Sequence, residues 1–216
     1  MDLRDLFSRS WRALWVLGLF VLVAAFWGQR TGMAPGAQSI IEVGEDESAL
    51  AHRRGTLVAG KGPDRLTVFI TYSCVFCKQL LDTIEAGRQD GQVGTQVYVR
   101  HLVPPDADGY STIAALALEC GALQNRATVV HESLLSVDRF ETREGLIQAL
   151  QGVRGLDLGA METCLADSGL RSSLAIDFED AVSLAVDGTP TSFYENRSVR
   201  GALDLKLVLE LIRGES

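Results

Sequence analysis

The sequence predicts an α/β protein built on a strand-helix-strand unit, with a block of helices inserted before the chain returns to β structure and one apolar helix ahead of it all. Three observations carry that expectation. First, the apolar run Val68-Phe69-Ile70 leads through Tyr72-Ser73 into Cys74-Val75-Phe76-Cys77-Lys78, and the following Leu80, Leu81 and Ile84 are spaced as one face of a helix. Second, the period from Tyr110 to Val186 is helical throughout. Third, Gly188-Thr189-Pro190 opens short alternating segments that end in a single closing helix.

Taken in order, residues 1–12 carry Arg4, Arg9 and Arg12, and Ala13 to Trp27 contains no charge. This reads as a membrane-directed segment, short for the roughly 20 residues of a spanning helix but extended by Trp11 and Gly28-Gln29. Trp11, Trp15 and Trp27 suit an interfacial aromatic belt, which favours an uncleaved anchor at 13–27. The alternative is a signal peptide cut near Val23-Ala24-Ala25, leaving a soluble periplasmic domain. Either way the arginines stay in the cytoplasm and the rest of the chain lies outside it. Residues 28–63 are punctuated by glycines, Pro35, Pro63 and the acidic run Glu45-Asp46-Glu47, as a linker would be. Within them Ile40-Ile41-Glu42-Val43 and Thr56-Leu57-Val58 fit short edge strands.

The main domain then spans 64–216. Gln96 to Val103 alternates as a second strand and stops at Pro104-Pro105; a right-handed crossover makes it parallel to the first. Four or five amphipathic helices follow in an insertion at about 107–186, marked by Ile113, Leu116, Ala117 and Cys120 and by later sets ending in Leu174, Phe178 and Val182. Thr191-Ser192-Phe193-Tyr194 and Ser198-Val199-Arg200 form a hairpin about Glu195-Asn196-Arg197. Gly201 breaks it, and Leu203 to Ile212 supply the last helix.

Composition narrows the function classes. The chain has 216 residues, 47% hydrophobic, with Lys+Arg 20 against Asp+Glu 28 and a net charge of -8. It can bury a core, and with no basic stripe it is not a nucleic-acid binder.

The chemistry sits in Cys74-x-x-Cys77. A cysteine at a helix N-terminus meets unpaired backbone N–H groups and the positive end of the helix dipole, which favour the thiolate. Such settings lower a thiol's pKa by roughly one to five units, so Cys74 is the expected nucleophile. Half a zinc site has the same spacing but needs a second ligand pair, and Cys120 and Cys164 stand single and far apart. An inert structural disulfide is the other competing reading. Outside the cytoplasm disulfides persist, so a redox pair there cycles with the disulfides of other proteins.

The combination of Phe69, Tyr72, Cys74-Val75-Phe76-Cys77-Lys78, Gly188-Thr189-Pro190-Thr191-Ser192-Phe193 and Gly201 resembles the DsbA-like thiol:disulfide interchange family over about Gly60 to Arg213. The resemblance implies a thioredoxin-like fold with an inserted helical subdomain, a redox-active disulfide in place of any organic cofactor, and no bound metal. It implies that Pro190 is a cis-proline facing the cysteines, and that the Thr189 backbone, with Val75 and Phe76 beside it, docks an extended substrate by strand addition. Implied partners are extracytoplasmic protein thiols or disulfides and a membrane redox protein that resets the pair.

Two departures from that pattern bear on direction. Relatives often carry Pro within the motif and the strongest oxidants carry His; Val75 and Phe76 imply a milder oxidant. Val68 stands where many thioredoxin-fold enzymes place a buried carboxylate that moves the second cysteine's proton. A disulfide donor depends on that step less, so Val68 leans toward donation. Cys120 and Cys164 fall on apolar helix faces, where buried free cysteines are common; outside the cytoplasm two spare cysteines in one subdomain tend to pair, and relatives have a second disulfide in similar positions. His131 is either a partly exposed helical residue or part of a substrate groove, while His52 and His101 read as structural. The expected activity is therefore disulfide donation to protein thiols. Its alternatives are reduction on the same fold, isomerisation being disfavoured because 28–63 is short for a dimerisation domain, or metal handling by Cys74 and Cys77 with a histidine.

Overall fold

The computed structural model describes residues 38–104, 107–136 and 142–214. The membrane-directed segment 13–27 lies outside them, and no helix among the described residues is long and apolar enough to cross a membrane.

Among the described residues six strands form one sheet: β1 (Ile41–Glu42), β2 (Thr56–Ala59), β3 (Arg65–Ile70), β4 (Gln96–His101), β5 (Thr191–Tyr194) and β6 (Arg197–Arg200), in the order β1-β6-β5-β3-β4-β2. Only β3 and β4 run parallel, joined by α2 (Val75–Gln89), and their register pairs Val68 with Val99 and Ile70 with His101. All other neighbours are antiparallel. Leu66 to Ile70 of β3 are buried without a break because helices cover both faces, which is why the strand reads as a continuous apolar run rather than an alternating one.

On one face Leu66, Val68, Ile70, Val97 and Val99 share a core with Leu80, Leu81 and Ile84 of α2 and with Val208 and Leu211 of the closing helix, α8 (Leu205–Arg213). The inserted helices join the same core: α3 (Tyr110–Leu123), α4 (Ala127–Ser136), α5 (Arg143–Leu150), α6 (Leu158–Leu165) and α7 (Ser168–Ser183). Helix α3 is its spine, with Ala114 to Leu118 all buried. At Gly121 a Cβ would lie 2.8 Å from Val130 Cγ2, so glycine is what lets α3 and α4 approach. On the opposite face Phe69 and Phe193 stack edge to face at 5.8 Å and pack on Ala51, Ala181 and Val186.

The linker reading of 28–63 needs correction within its described part. Glu45–His52 is a helix, α1, while β1 and β2 are the edge strands expected near Ile41 and Leu57. The acidic run is not linker punctuation but a first helical turn. Gly44 N–H donates to Glu47 Oε2 at 2.8 Å, and three carboxylates lie at the positive end of the helix dipole.

Cys120 and Cys164 are bonded, with Cα atoms 5.8 Å apart, and tie α3 to α6 across 44 residues. In the chain-entropy model a loop of that length stabilises the fold by about 4 kcal/mol. Replacing both with alanine is therefore expected to lower the urea midpoint by an amount corresponding to about 2 to 5 kcal/mol. An unchanged midpoint would mean that the insertion holds together without the bond.

Candidate active site

Strand β3 ends at Ile70, and the turn Thr71-Tyr72-Ser73 delivers Cys74 to the N-cap of α2, with φ -90° and ψ 112°. The turn is tied down by hydroxyls: Thr71 Oγ1 and Ser73 Oγ are 2.8 Å apart, and Ser111 Oγ of α3 donates to Ser73 Oγ at 2.8 Å. Cys74 thereby takes the place of an N-cap hydroxyl: Cys77 N–H donates to its sulfur at 3.3 Å. Across the site the Thr189-Pro190 bond is cis, and the Cys74 thiol donates to the Thr189 carbonyl at 3.3 Å. Pro190 is held in turn by its own carbonyl, which accepts Gly201 N–H at 2.8 Å.

The two sulfurs, both free thiols, have opposite electrostatics. Partial burial works against ionisation of Cys74, but hydrogen bonds from the Thr189 side chain, from Cys77 and from the Phe76 backbone outweigh it and hold the thiol below its ordinary value. Burial, and then the adjacent Cys74, push Cys77 up to about 12. Only 1% of Cys77 is exposed, whereas Val75 and Phe76 between the cysteines are 60% and 56% exposed. The result is a nucleophile at the surface, a protonated reserve thiol beneath it, and an apolar dipeptide beside both.

The expected site residues fall into two places. Cys74, Cys77, Val75 and Phe76 are brought together with Thr189 and Pro190, which are more than a hundred positions away in the chain. Cys120 and Cys164 lie in the insertion as a bonded pair. Among the described residues no three His, Cys, Asp or Glu side chains gather as a metal-ligand set. Lys78 donates to the Leu135 carbonyl at 2.7 Å, joining α2 to α4.

On the same side of the sheet His131, expected to be partly exposed or in a substrate groove, is part of a buried polar group. Tyr72 and His131 Nδ1 are hydrogen bonded at 2.7 Å. Burial raises the Tyr72 phenol well above its ordinary value and lowers His131 to about 3, so the hydrogen bond joins two neutral groups. His131 is thus neither exposed nor a free groove residue. Nearby, His101 Nε2 lies 3.1 Å from Glu119 Oε1, which also accepts from Thr56 Oγ1 at 2.7 Å. Burial raises the Glu119 carboxyl, but His101 and Thr56 outweigh it and hold it below the usual carboxylate range. The available signal was the alternation Val97, Val99, His101, which puts an imidazole on an otherwise apolar face.

The fold is that of thioredoxin-like proteins with an inserted helical subdomain. No protein-family model matches the chain, and no curated protein sequence matches it. Solved structures do. A thioredoxin-like oxidoreductase from Silicibacter pomeroyi DSS-3 is 18% identical over 81% of this chain and 100% of its own, with a TM-score of 0.65. The thiol-disulfide exchange protein alpha-DsbA2 from Wolbachia pipientis is 18% identical over 79% of this chain and 91% of its own, with a TM-score of 0.63. A periplasmic thioredoxin-like protein from Salmonella enterica serovar Typhimurium is 21% identical over 81% and 98%, with a TM-score of 0.59. At these identities the likeness to DsbA-like proteins is one of fold.

Proposed function

We propose that this chain is an extracytoplasmic thiol:disulfide oxidoreductase that exchanges a Cys74–Cys77 disulfide with protein thiols, in the direction of disulfide donation. One observation carries the reading: the Cys74 sulfur caps a helix N-terminus and faces the Thr189 carbonyl at 3.3 Å, with a buried second thiol three residues on. The Cys77 N–H at that cap favours the thiolate, the form that exchanges bonds. The exposed Val75-Phe76 pair and the Thr189 backbone offer an extended peptide an apolar contact and a main-chain partner.

Two of the matched structures, a periplasmic thioredoxin-like protein and a thiol-disulfide exchange protein, agree with exchange outside the cytoplasm. In this reading residues 1–12 remain cytoplasmic, 13–27 anchor the chain in the cytoplasmic membrane, and a membrane redox protein re-oxidises the pair. Apolar Val68, wholly buried, supports donation over reduction.

Cys74→Ser is expected to abolish oxidation of a dithiol peptide, and Cys77→Ser to accumulate mixed disulfides through Cys74. Exchange that survives Cys74→Ser would remove the proposal. The reduction potential sets direction, since about 30 mV corresponds to 1.4 kcal/mol for a two-electron couple. A potential near that of thioredoxin would overturn donation while leaving exchange intact. Stoichiometric metal on the purified protein, with both thiols protected by it, would replace the redox reading by metal handling.

A further inference from the structure

Strand β2 is the outermost strand on its side of the sheet and is paired with β4 alone. No backbone group of Thr56 to Ala59 bonds to any other described residue, so the N–H and C=O groups on the outer side of β2 have no partner among them. Such a row is a template for a further strand. The edge is held in place at both ends. Thr56 Oγ1 donates to Glu119 Oε1 of α3 at 2.7 Å, and at Gly60, just past β2, a Cβ would lie 2.2 Å from the Thr95 carbonyl oxygen, so the chain packs there backbone on backbone. A pre-set edge loses little freedom when a partner pairs with it. A register shift between Leu57 and Ala59 keeps the pairable stretch short, so a partner needs anchors beside the main chain.

Those anchors line two clefts that meet on β2. One, of about 600 Å³, runs from Thr56 and Leu57 to Arg126 and Arg154; the other, of about 540 Å³, runs from Leu57 and Ala59 to Lys61 and Arg88. Leu57 and Thr128 line both, and Leu57 is 38% exposed, an apolar side chain at the junction. The wall beyond it is tied down. Arg126 Nε donates to the Gly155 carbonyl at 3.1 Å, and the Gln124 amide holds Asp157 N–H and C=O at 2.8 and 3.1 Å. Four cations thus border the edge, and Glu132 is the single carboxylate among the described residues that line either cleft. Arg88 is paired with Glu85, but Lys61 and Arg154 are exposed and have neither an ion pair nor a hydrogen bond among the described residues. On a chain of net charge -8 this basic border is an exception, and it selects the partner. A second copy pairing β2 with β2 would set the cations against one another, whereas an acidic segment meets them with opposite charge.

We propose that the free edge of β2 is a docking site for an extended, acidic segment of a partner protein. The segment adds to the sheet beside β2, rests an apolar side chain on Leu57, and sets its carboxylates against Lys61 at one end and Arg126 and Arg154 at the other. Main-chain bonds and the Leu57 contact supply attraction that charge alone does not, and the cations fix register and exclude basic segments. The inference goes beyond the exchange reading and does not depend on it, since no cysteine takes part and β2 lies two strands from β3, about 10 Å at the usual strand spacing.

The probe is a fluorescent octapeptide of alternating valine and glutamate, blocked at both ends and titrated into the ¹⁵N-labelled full chain in nonionic detergent. Saturable binding is expected, with amide shifts at Thr56 to Ala59. The double substitution Lys61→Glu and Arg154→Glu should weaken it by about tenfold or more, and N-methylation of every peptide nitrogen should weaken it as much. Both substituted side chains are exposed, and an unchanged urea midpoint shows that the fold is kept. Should the double variant not fold, a peptide with lysine in place of glutamate decides on the wild-type chain, to which it is expected not to bind. Absence of binding at millimolar peptide overturns the proposal, as does equal binding of the lysine peptide, of the N-methylated peptide or by the folded double variant. Shifts confined to the residues around Thr189 would place the peptide in the exchange site instead. A sedimentation coefficient that rises with protein concentration, and does so no longer in the double variant, would assign the edge to a second copy; either result overturns the docking of a partner segment on β2.

Discussion

Reduced protein treated with iodoacetamide at pH 7 is expected to be alkylated at Cys74 and left unmodified at Cys77. With its pKa pushed to about 12 and 1% of the residue exposed, Cys77 is a thiolate in only about one molecule in 10⁵. Cys74 lies below the ordinary value, where at least a few per cent is ionised. The rates should therefore differ by about 10³-fold or more, before access is counted. The same asymmetry makes the stability of the reduced form depend on pH relative to the oxidised form, in which neither sulfur titrates. For Cys74 the folded value is depressed, so the unfolded chain holds more protons between the two values and stability rises with pH there. For Cys77 the folded value is raised, so stability is lost as pH climbs from about 8.5 in the unfolded chain toward its folded value. The difference in Tm between reduced and oxidised protein should thus peak near pH 8 to 9. A difference that stays flat from pH 5 to 10, or equal labelling of both cysteines, would show the two thiols to be equivalent and remove the basis for an ordered exchange.

That asymmetry was half visible in the sequence. The strand-to-helix turn is local: a β-branched and aromatic run, two small residues and an amphipathic segment put Cys74 at a helix start with no help from the rest of the chain. Cys77 followed by helical spacing, which turns it into the face carrying Leu80, Leu81 and Ile84. The approach of Thr189 depends instead on a contact over 115 residues, and only the resemblance of the Gly188-Thr189-Pro190 motif pointed to it. Helix α1 was hidden because its three leading acids and adjoining glycine have the composition of a linker, although Glu47 three residues after Gly44 is a capping signal. The His101–Glu119 contact was not legible at all. It needs α3 to lie across β4 with one particular rotation, which side-chain packing of the insertion decides. The burial of Arg100 was hidden for the same reason, since an alternating strand with Arg at an outward position reads as half exposed to water.

Arg100→Ala is expected to be the most damaging single change away from the cysteines. Its side chain is wholly buried, with the guanidinium 4.8 Å from the Phe69 ring centre. Nε donates to Asp177 Oδ1 at 3.0 Å, Nη2 pairs with Asp180, and Nη1 donates to the carbonyls of Leu50 and Ala51 at 2.9 and 3.3 Å. One cation therefore closes the C-terminal end of α1 and neutralises two carboxylates of α7. Its removal takes the buried partner from both carboxylates and leaves Asp180 only the half-exposed Arg53 and Asp177 the His101 backbone N–H at 3.2 Å and Arg54 at 3.8 Å, which costs up to about 3–5 kcal/mol, a large part of the total stability of a domain of this size. Arg100→Lys should recover little, because one ammonium cannot reach groups spread over two helices. Arg53, about half exposed, pairs with Asp180 from the solvent side, and Arg53→Ala should cost far less than Arg100→Ala. Burial works against ionisation of Asp180, but Arg53 and Arg100 outweigh it and depress its pKa, so this part of the stability is present above the unfolded value and disappears as pH falls through the folded one. Arg100→Ala should flatten that acid limb. The consequence reaches the active site, since α7 is the last inserted helix before the chain runs to Thr189 and Pro190. Loosening α7 should weaken the seating of the Thr189 carbonyl on Cys74, so exchange should fall under conditions where the sheet is still folded. Urea unfolding of Arg100→Ala within 1 kcal/mol of wild type, with exchange unimpaired, would show that the buried cation does not hold α7 in place.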